Sequence, residues 1–149
     1  MAHANFNVSL KVILVNDKKQ ILGLKVSFNS SFAGFYDLPG GRIDDAELSQ
    51  EFTKTLKREL KEEIGNIKFK LEDKPITAVK YIVPGKFLKK KKGLSMLYVF
   101  FAARYISGKI KLSQEHEAYE WLDVNKTNAN KYFYKNFLGG VEQYLDLKK

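Results

Sequence analysis

The sequence contains no cysteine, only three arginines among its 26 basic residues, and no apolar run long enough to span a bilayer. Each scarcity excludes something. Without cysteine there is no disulfide scaffold, no thiolate zinc site and no cysteine nucleophile, and a reducing, cytoplasmic setting is the expectation that fits. With lysine supplying nearly all the positive charge, the net +9 speaks for general attraction to anions rather than bidentate readout of one group. The most apolar stretch, Leu94 to Ile106, is interrupted by Ser95, Arg104 and Tyr105 and falls short of the ~20 residues a membrane helix needs. No membrane span is expected. Asn5, Asn7 and Lys11 break up what would be the apolar core of a signal peptide, so none is expected either.

What is present is enough for a core. Of the 149 residues 44% are hydrophobic and 13% aromatic, and a chain of this length buries roughly 70% of the surface its unfolded form exposes. A single domain over 1–149 is the expectation. Phe6, Val8, Leu10, Val12 and Leu14 alternate, as do Leu22, Leu24, Val26 and Phe28, with Asn16 to Lys19 as a turn between them. That pattern predicts a β-hairpin over the first 28 residues. The period then changes. Phe52, Leu56, Leu60 and Ile64 recur every four positions and Gly65 stands at the stop, which predicts a helix over Leu48 to Ile64. Further strands are predicted at Ile76 to Val83, Leu94 to Ile106, Lys109 to Leu112 and Glu117 to Val124. A closing helix over Tyr132 to Leu147 is expected to be weakened or split at Gly139-Gly140. The order predicts an α+β or α/β sandwich, a mixed sheet flanked by helices.

The helix at Leu48 to Ile64 carries the chemistry. With Leu56 at zero, about 100° per residue puts Glu63 near −20°, Glu59 near −60°, Glu62 near −120° and Arg58 near −160°. The acids thus form a stripe beside the apolar one, with Glu63 inside the arc that faces the core. As bare ions they repel one another, and burial of Glu63 would cost stability unless a cation sits among them. A hard divalent ion held by oxygen ligands would convert repulsion into coordination. A solvated face, with Arg58 pairing Glu62 at i+4, is the ordinary reading of such a charge run. Leu38-Pro39-Gly40-Gly41-Arg42 directly upstream argues against it, because a proline and two glycines make a sharp turn able to bring a backbone carbonyl to a metal.

The stretch from Leu38 to Ile67 resembles the signature of the Nudix hydrolases: a Gly, five residues, Glu, seven residues, then Arg-Glu-aliphatic-any-Glu-Glu-any-Gly and an aliphatic residue. Gly41 and Glu47 match the first spacing, and Arg58 to Gly65 matches the second half. Ten residues instead of seven separate Glu47 from Arg58, so either three residues are inserted or Glu51 replaces Glu47. Phe35-Tyr36-Asp37 ahead of the turn and the Glu115-His116 pair six residues before Trp121 also look like family features.

The resemblance implies an α/β/α fold and a Mg²⁺-dependent pyrophosphohydrolase, with Mn²⁺ able to replace Mg²⁺. It implies metal ligation by the Gly41 carbonyl, Glu59, Glu62, Glu63 and Glu115. Glu59 or Glu63 would take the proton of the attacking water, Arg58 would orient the acids, and Arg42 would steady the departing phosphate. His116, a lone histidine beside a strand, is expected to be structural. The substrate is expected to be a small nucleotide derivative. Tyr81 and Pro84, both in the zone that separates the family's subgroups, point two ways as to which one. Three rivals remain: a Nudix-like module that binds nucleotides without cleaving them, an RNA-binding protein using Lys89 to Lys92 as a phosphate clamp, and a purely structural domain, which would leave the clustered acids unexplained.

Overall fold

A computed structural model describes residues 2–26, 32–88 and 92–148. Lys89, Lys90 and Lys91 of the lysine run, and Phe28 at the end of the second expected strand, lie outside the described residues. Eight strands build one mixed sheet: β1 (Asn7–Val15), β2 (Ile21–Lys25), β3 (Tyr36–Asp37), β4 (Gly40–Arg42), β5 (Lys68–Leu71), β6 (Thr77–Val83), β7 (Leu94–Ser107) and β8 (Tyr119–Leu122). The helices are α1 (Phe52–Ile64), the short α2 (Ala129–Tyr132) and α3 (Lys135–Leu147). No helix among the described residues is long and apolar enough to cross a membrane.

The frame of the sheet is a parallel pair, β1 beside β7, in register from Asn7↔Met96 to Val15↔Arg104. Helices cover both faces of it. Leu56, Leu60 and Ile64 of α1 pack with Leu10, Val12, Leu14 and Phe101, while Phe133, Phe137, Val141 and Tyr144 pack with Ile13 and Phe100 on the opposite face. Each of these large side chains contributes roughly 1.5–3 kcal/mol on leaving water, which is why a sheet covered on both sides dominates the fold. The expected mixed sheet flanked by helices is what forms.

Several local expectations need correction. The hairpin is nominal: β1 and β2 share only the pair Val15↔Ile21, and β2 then diverges to pair with β3 and β8. Along the edge of β1 that β2 vacates lies β4, with Ser9 opposite Arg42, Leu10 opposite Gly41 and Lys11 opposite Gly40. The helix begins at Phe52 rather than Leu48, because Asp45–Glu47 forms a separate 3-10 turn and Leu48 is left 76% exposed. Its end is as expected: Gly65 takes φ +90° and its N–H donates to the Lys61 carbonyl.

Lys109 to Leu112 is not a strand. The partner of the upper part of β7 is instead Lys68–Leu71, too short a stretch to show a pattern of its own. The segment after β7 runs past the end of α1, where Lys111 N–H donates to the Ile64 carbonyl and Ser113 N–H to the Glu63 carbonyl. Those carbonyls have no partner within the helix, so the contact both caps α1 and carries Glu115 and His116 to its acidic side. The C-terminal helix is interrupted at Phe133-Tyr134, and Gly139-Gly140 lie inside α3 without splitting it.

Candidate active site

The glycine turn is pinned to β1 and holds one helix acid directly. Pro39 is stitched to β1 by Val12 N–H donating to its carbonyl at 2.8 Å, and Gly40 sits so close to Leu10 that a Cβ would fall 2.0 Å from the Leu10 carbonyl oxygen. Gly40 also holds φ +134°, where only glycine is at ease. From this position its N–H donates to Glu63 Oε2 at 3.0 Å. The Glu59 carboxylate lies against Gly41, in space that a side chain would fill: a Cβ there would meet Glu59 Oε2 at 2.5 Å. Turn and helix thus bring the Gly41 backbone, Glu59 and Glu63 together, all three lining one cleft of about 520 Å³.

Arg58 stands behind these acids. Its Nε and Nη2 donate to Glu47 Oε2 and Oε1 at 2.7 and 2.6 Å, Nη2 also reaches Glu59 Oε1 at 3.0 Å, and Nη1 reaches Glu62 Oε2 at 3.0 Å. The bidentate fork is the strongest form such a pair takes. It settles which upstream acid meets the arginine: Glu47, buried in its 3-10 turn, and not Glu51, which precedes the first helical residue and is exposed. The hydrogen bonds from Arg58 hold the Glu47 carboxyl down to about 2. Glu59 is pushed up by burial, against the pull of Arg58. Burial raises Glu63 further, to about 7, opposed chiefly by the charge of Lys11.

Across the cleft stand residues that the sequence did not mark as functional. Lys11, 7% exposed on β1, gives its ammonium to Asp37 Oδ1 and to the Leu38 carbonyl, each at 3.1 Å. Burial alone would lower the Lys11 ammonium, but Asp37 and Glu63 reverse that and hold it above its ordinary range. The converse holds at Asp37, where burial would raise the carboxyl and Lys11 and His116 together bring it down. His116 Nε2 lies 3.0 Å from Asp37 Oδ2, and its Nδ1 lies 3.5 Å from Glu63 Oε1. Burial would lower the imidazole; the bond to Asp37 and its charge raise it. Phe32, Phe35 and Phe137 provide apolar walls to the same cleft, Phe137 with the Lys11 ammonium 5.3 Å from its ring centre and Tyr134 edge-on to Phe35 at 5.0 Å. Asn136 is buried there, and its Oδ1 has no hydrogen-bond partner.

Of the residues expected from sequence, Gly41, Arg42, Glu59, Glu63 and Glu115 line the cleft, as does His116, while Arg58 and Glu62 do not. Glu62 is directed to solvent with 62% of its side chain exposed, held by Arg58. Arg42 is exposed at the rim. The oxygens that line the cleft, from Glu59, Glu63, the exposed Glu115 and the Gly41 backbone, are hard donors of the kind a divalent cation of the Mg²⁺ class takes, while among the described residues the carboxylate and imidazole atoms that lie within 4.8 Å of one another are those of Asp37, Glu63 and His116. Lys11 escaped notice because one polar residue in an alternating strand reads as its wet face, and only the covering of both faces by helices makes it a buried charge. Asp37 had a signal in its place before the Leu-Pro-Gly-Gly turn, but nothing in the sequence gave it partners.

Comparison with known proteins bears on this geometry. A family model described as the NUDIX domain matches residues 5–138. No curated protein matches the chain significantly. Among solved structures, the chain is similar to a MutT protein from Methanosarcina mazei Go1, with 22% identity, TM-score 0.72 and coverage of 99% of this chain and 98% of the other. It is similar to the dihydroneopterin triphosphate pyrophosphohydrolase of E. coli at 18% identity and TM-score 0.66, covering 95% and 98%. An ADP-ribose pyrophosphatase from Streptococcus suis aligns at 18% identity and TM-score 0.62, covering 97% and 93%.

Proposed function

The chain belongs to the NUDIX family and is an enzyme of the pyrophosphohydrolase class, and on that premise we propose that it hydrolyses a diphosphate linkage in a small nucleoside diphosphate derivative with the help of Mg²⁺. The observation that carries the reading is the seating of the Glu59 carboxylate against Gly41, in a cleft that Glu63 and aromatic side chains also line. The Gly41 carbonyl, Glu59, Glu63 and Glu115 would hold the cation, whose charge would neutralise phosphate oxygens and make a nearby water more acidic. Mn²⁺ serves the same donors.

The chain's own residues then divide the work. Glu59, oriented by Arg58, takes the proton as the water oxygen bonds to phosphorus, and a carboxyl raised by burial is better matched to that exchange near neutral pH than an ordinary one. The bond between phosphorus and the bridging oxygen breaks, and the departing phosphate leaves with the electron pair. Arg42 at the rim steadies that charge. Glu63 is kept in place by the Gly40 N–H, and Glu62 acts from outside by fixing one nitrogen of Arg58. The aromatic walls receive the nucleoside. The dihydroneopterin triphosphate and ADP-ribose enzymes named above act on small molecules of this kind, which favours a small substrate over RNA.

The test is a panel of nucleoside triphosphates, ADP-ribose, dinucleoside polyphosphates and capped RNA incubated with the protein and Mg²⁺, with products separated by chromatography. Glu59→Gln, which keeps shape but removes charge, is expected to lower turnover of the best substrate by a factor of roughly 10² or more with circular dichroism unchanged. Turnover equal to wild type in that variant would remove Glu59 from the reaction. Absence of hydrolysis across the panel, with nucleotide binding retained, would favour a binding module.

A further inference from the structure

The imidazole of His116 is fixed from one side and free on the other. Its side chain is 7% exposed, and Nε2 faces Asp37 Oδ2 at 3.0 Å. Asp37 cannot turn away, because its Oδ1 takes both the Lys11 ammonium at 3.1 Å and the Leu38 N–H at 2.8 Å. A carboxylate so held accepts the proton of Nε2 and leaves Nδ1 as the ring atom without a tie. Nδ1 is buried and has no hydrogen-bond partner. The atom it faces is Glu63 Oε1, at 3.5 Å, while the other Glu63 oxygen is occupied by the Gly40 N–H. Two donor atoms, each with its companion atom already tied, therefore point at one another across a gap too long for a hydrogen bond.

That gap has the width of a metal. Bonds of about 2.0–2.2 Å meeting at a tetrahedral angle separate two donors by about 3.4 Å. An octahedral Mg²⁺, at about 2.0–2.1 Å, asks for neighbouring donors about 3.0 Å apart and for oxygen in preference to nitrogen. We propose that His116 Nδ1 and Glu63 Oε1 bind a first-row transition ion of the Zn²⁺ or Co²⁺ type, with Asp37 holding the imidazole from behind and the remaining coordination positions open to the cleft. The arrangement of carboxylate, histidine and ion is the one that fixes ring orientation and strengthens the donor in metal sites generally. Charge is in order: Lys11 and Asp37 cancel, and the ion takes the place of any proton on Nδ1, facing one carboxylate and the ring. One oxygen of Glu63 thus belongs to a mixed nitrogen and oxygen pair, and that position prefers transition ions over Mg²⁺. The catalytic significance of that preference rests on the hydrolase reading above; the binding of the ion does not.

The experiment is a titration of metal-free protein with Co²⁺, followed by its visible absorption, and a competition with Zn²⁺. Wild type is expected to show the intense bands of a tetrahedral, nitrogen-ligated ion, displaced by Zn²⁺ and not by equal Mg²⁺. His116→Gln is expected to weaken Co²⁺ binding at least ~100-fold and Asp37→Asn ~10–100-fold, as loss of a ligand and of its supporting carboxylate do. Should either variant fold poorly, ¹⁵N spectra of the wild-type imidazoles give the same answer. The chain has two histidines, and His3→Gln assigns the second set of signals. Zn²⁺ is expected to shift His116 Nδ1 while Nε2 keeps its proton. An unmoved Nδ1, or Co²⁺ bands identical in His116→Gln, would overturn the proposal while Mg²⁺-dependent hydrolysis stood. His116-dependent Co²⁺ binding in a protein that cleaves no diphosphate would sustain the proposal and sink the hydrolase reading.

Discussion

Arg58 donates hydrogen bonds to three carboxylates, and its tie to Glu47 is the one a pH titration can isolate. Glu47 sits near 2 in the folded protein because the guanidinium donates to both its oxygens, whereas in the unfolded chain it titrates near 4.5. A folded value below the unfolded one means that the unfolded state binds the extra proton, so the pair's contribution is present in full above about pH 4.5 and is lost as pH falls toward 2. Glu47→Gln is accordingly expected to melt below wild type at pH 7, with the difference closing as pH falls through that window. Thermal melts between pH 2.5 and 7 measure it, and a difference that does not change with pH would show that the ion pair is not its source. The same residue shows what spacing can and cannot convey. The interval from Gly41 to Glu47 was readable, but ten residues before Arg58 left Glu47 and Glu51 as alternatives. The choice is made by the exposed turn from Leu48 to Gln50, which takes up the extra length and folds Glu47 back onto the helix.

At the scale of elements, α3 lies so close to β7 that Gly140 is a spacer. A Cβ on Gly140 would stand 2.5 Å from three atoms of the Phe100 ring, which is fully buried and has nowhere to move. A Cβ on Gly139 would meet only Val79 Cγ2, at 3.2 Å. Alanine gains about 1 kcal/mol of helix propensity over glycine at either position, while overpacking a core costs about 1–3 kcal/mol. Gly140→Ala is therefore expected to destabilise in urea melts and Gly139→Ala to be neutral or slightly stabilising; equal stability of the two variants would refute the spacer role. Propensity alone made the pair a break because it weighs residues singly, and the close approach of helix to sheet that demands glycine is a tertiary fact. The strand at Lys68–Leu71 was obscured for a related reason. Four residues alternating lysine with Phe69 and Leu71 are too short to stand out, and they become a strand only through pairing with Ala103 to Ser107. Long periodic elements such as α1 and β7 were legible because their patterns run over many residues and face one partner each.

On the scale of the whole molecule, the cleft is where distant parts of the chain are tied to one another. Lys11 comes from β1, Asp37 to Arg42 from the turn that occupies the vacated edge of β1, Glu59 and Glu63 from the helix on one face, Glu115 and His116 from the segment that caps that helix, and Asn136 and Phe137 from the helix on the other face. Unfolding scatters all of them, so an ion that they hold together binds the native state alone. A divalent cation at 100 times its dissociation constant then adds about 2.7 kcal/mol to stability, which for a chain of this size raises the melting temperature by roughly 8–10 °C. Mg²⁺ or Mn²⁺ is expected to produce a rise of that order in calorimetry, saturating with concentration, and monovalent salt at equal ionic strength much less, because screening relieves only part of the repulsion between Glu59 and Glu63. In Glu59→Gln the metal-free protein is expected to melt no lower than wild type, since one of two neighbouring negative charges is gone, and the rise with Mg²⁺ to shrink. A wild-type melting curve indifferent to divalent ions would mean that Lys11, Arg58 and the Gly40 N–H already satisfy these acids, and that the cleft is balanced without a cation.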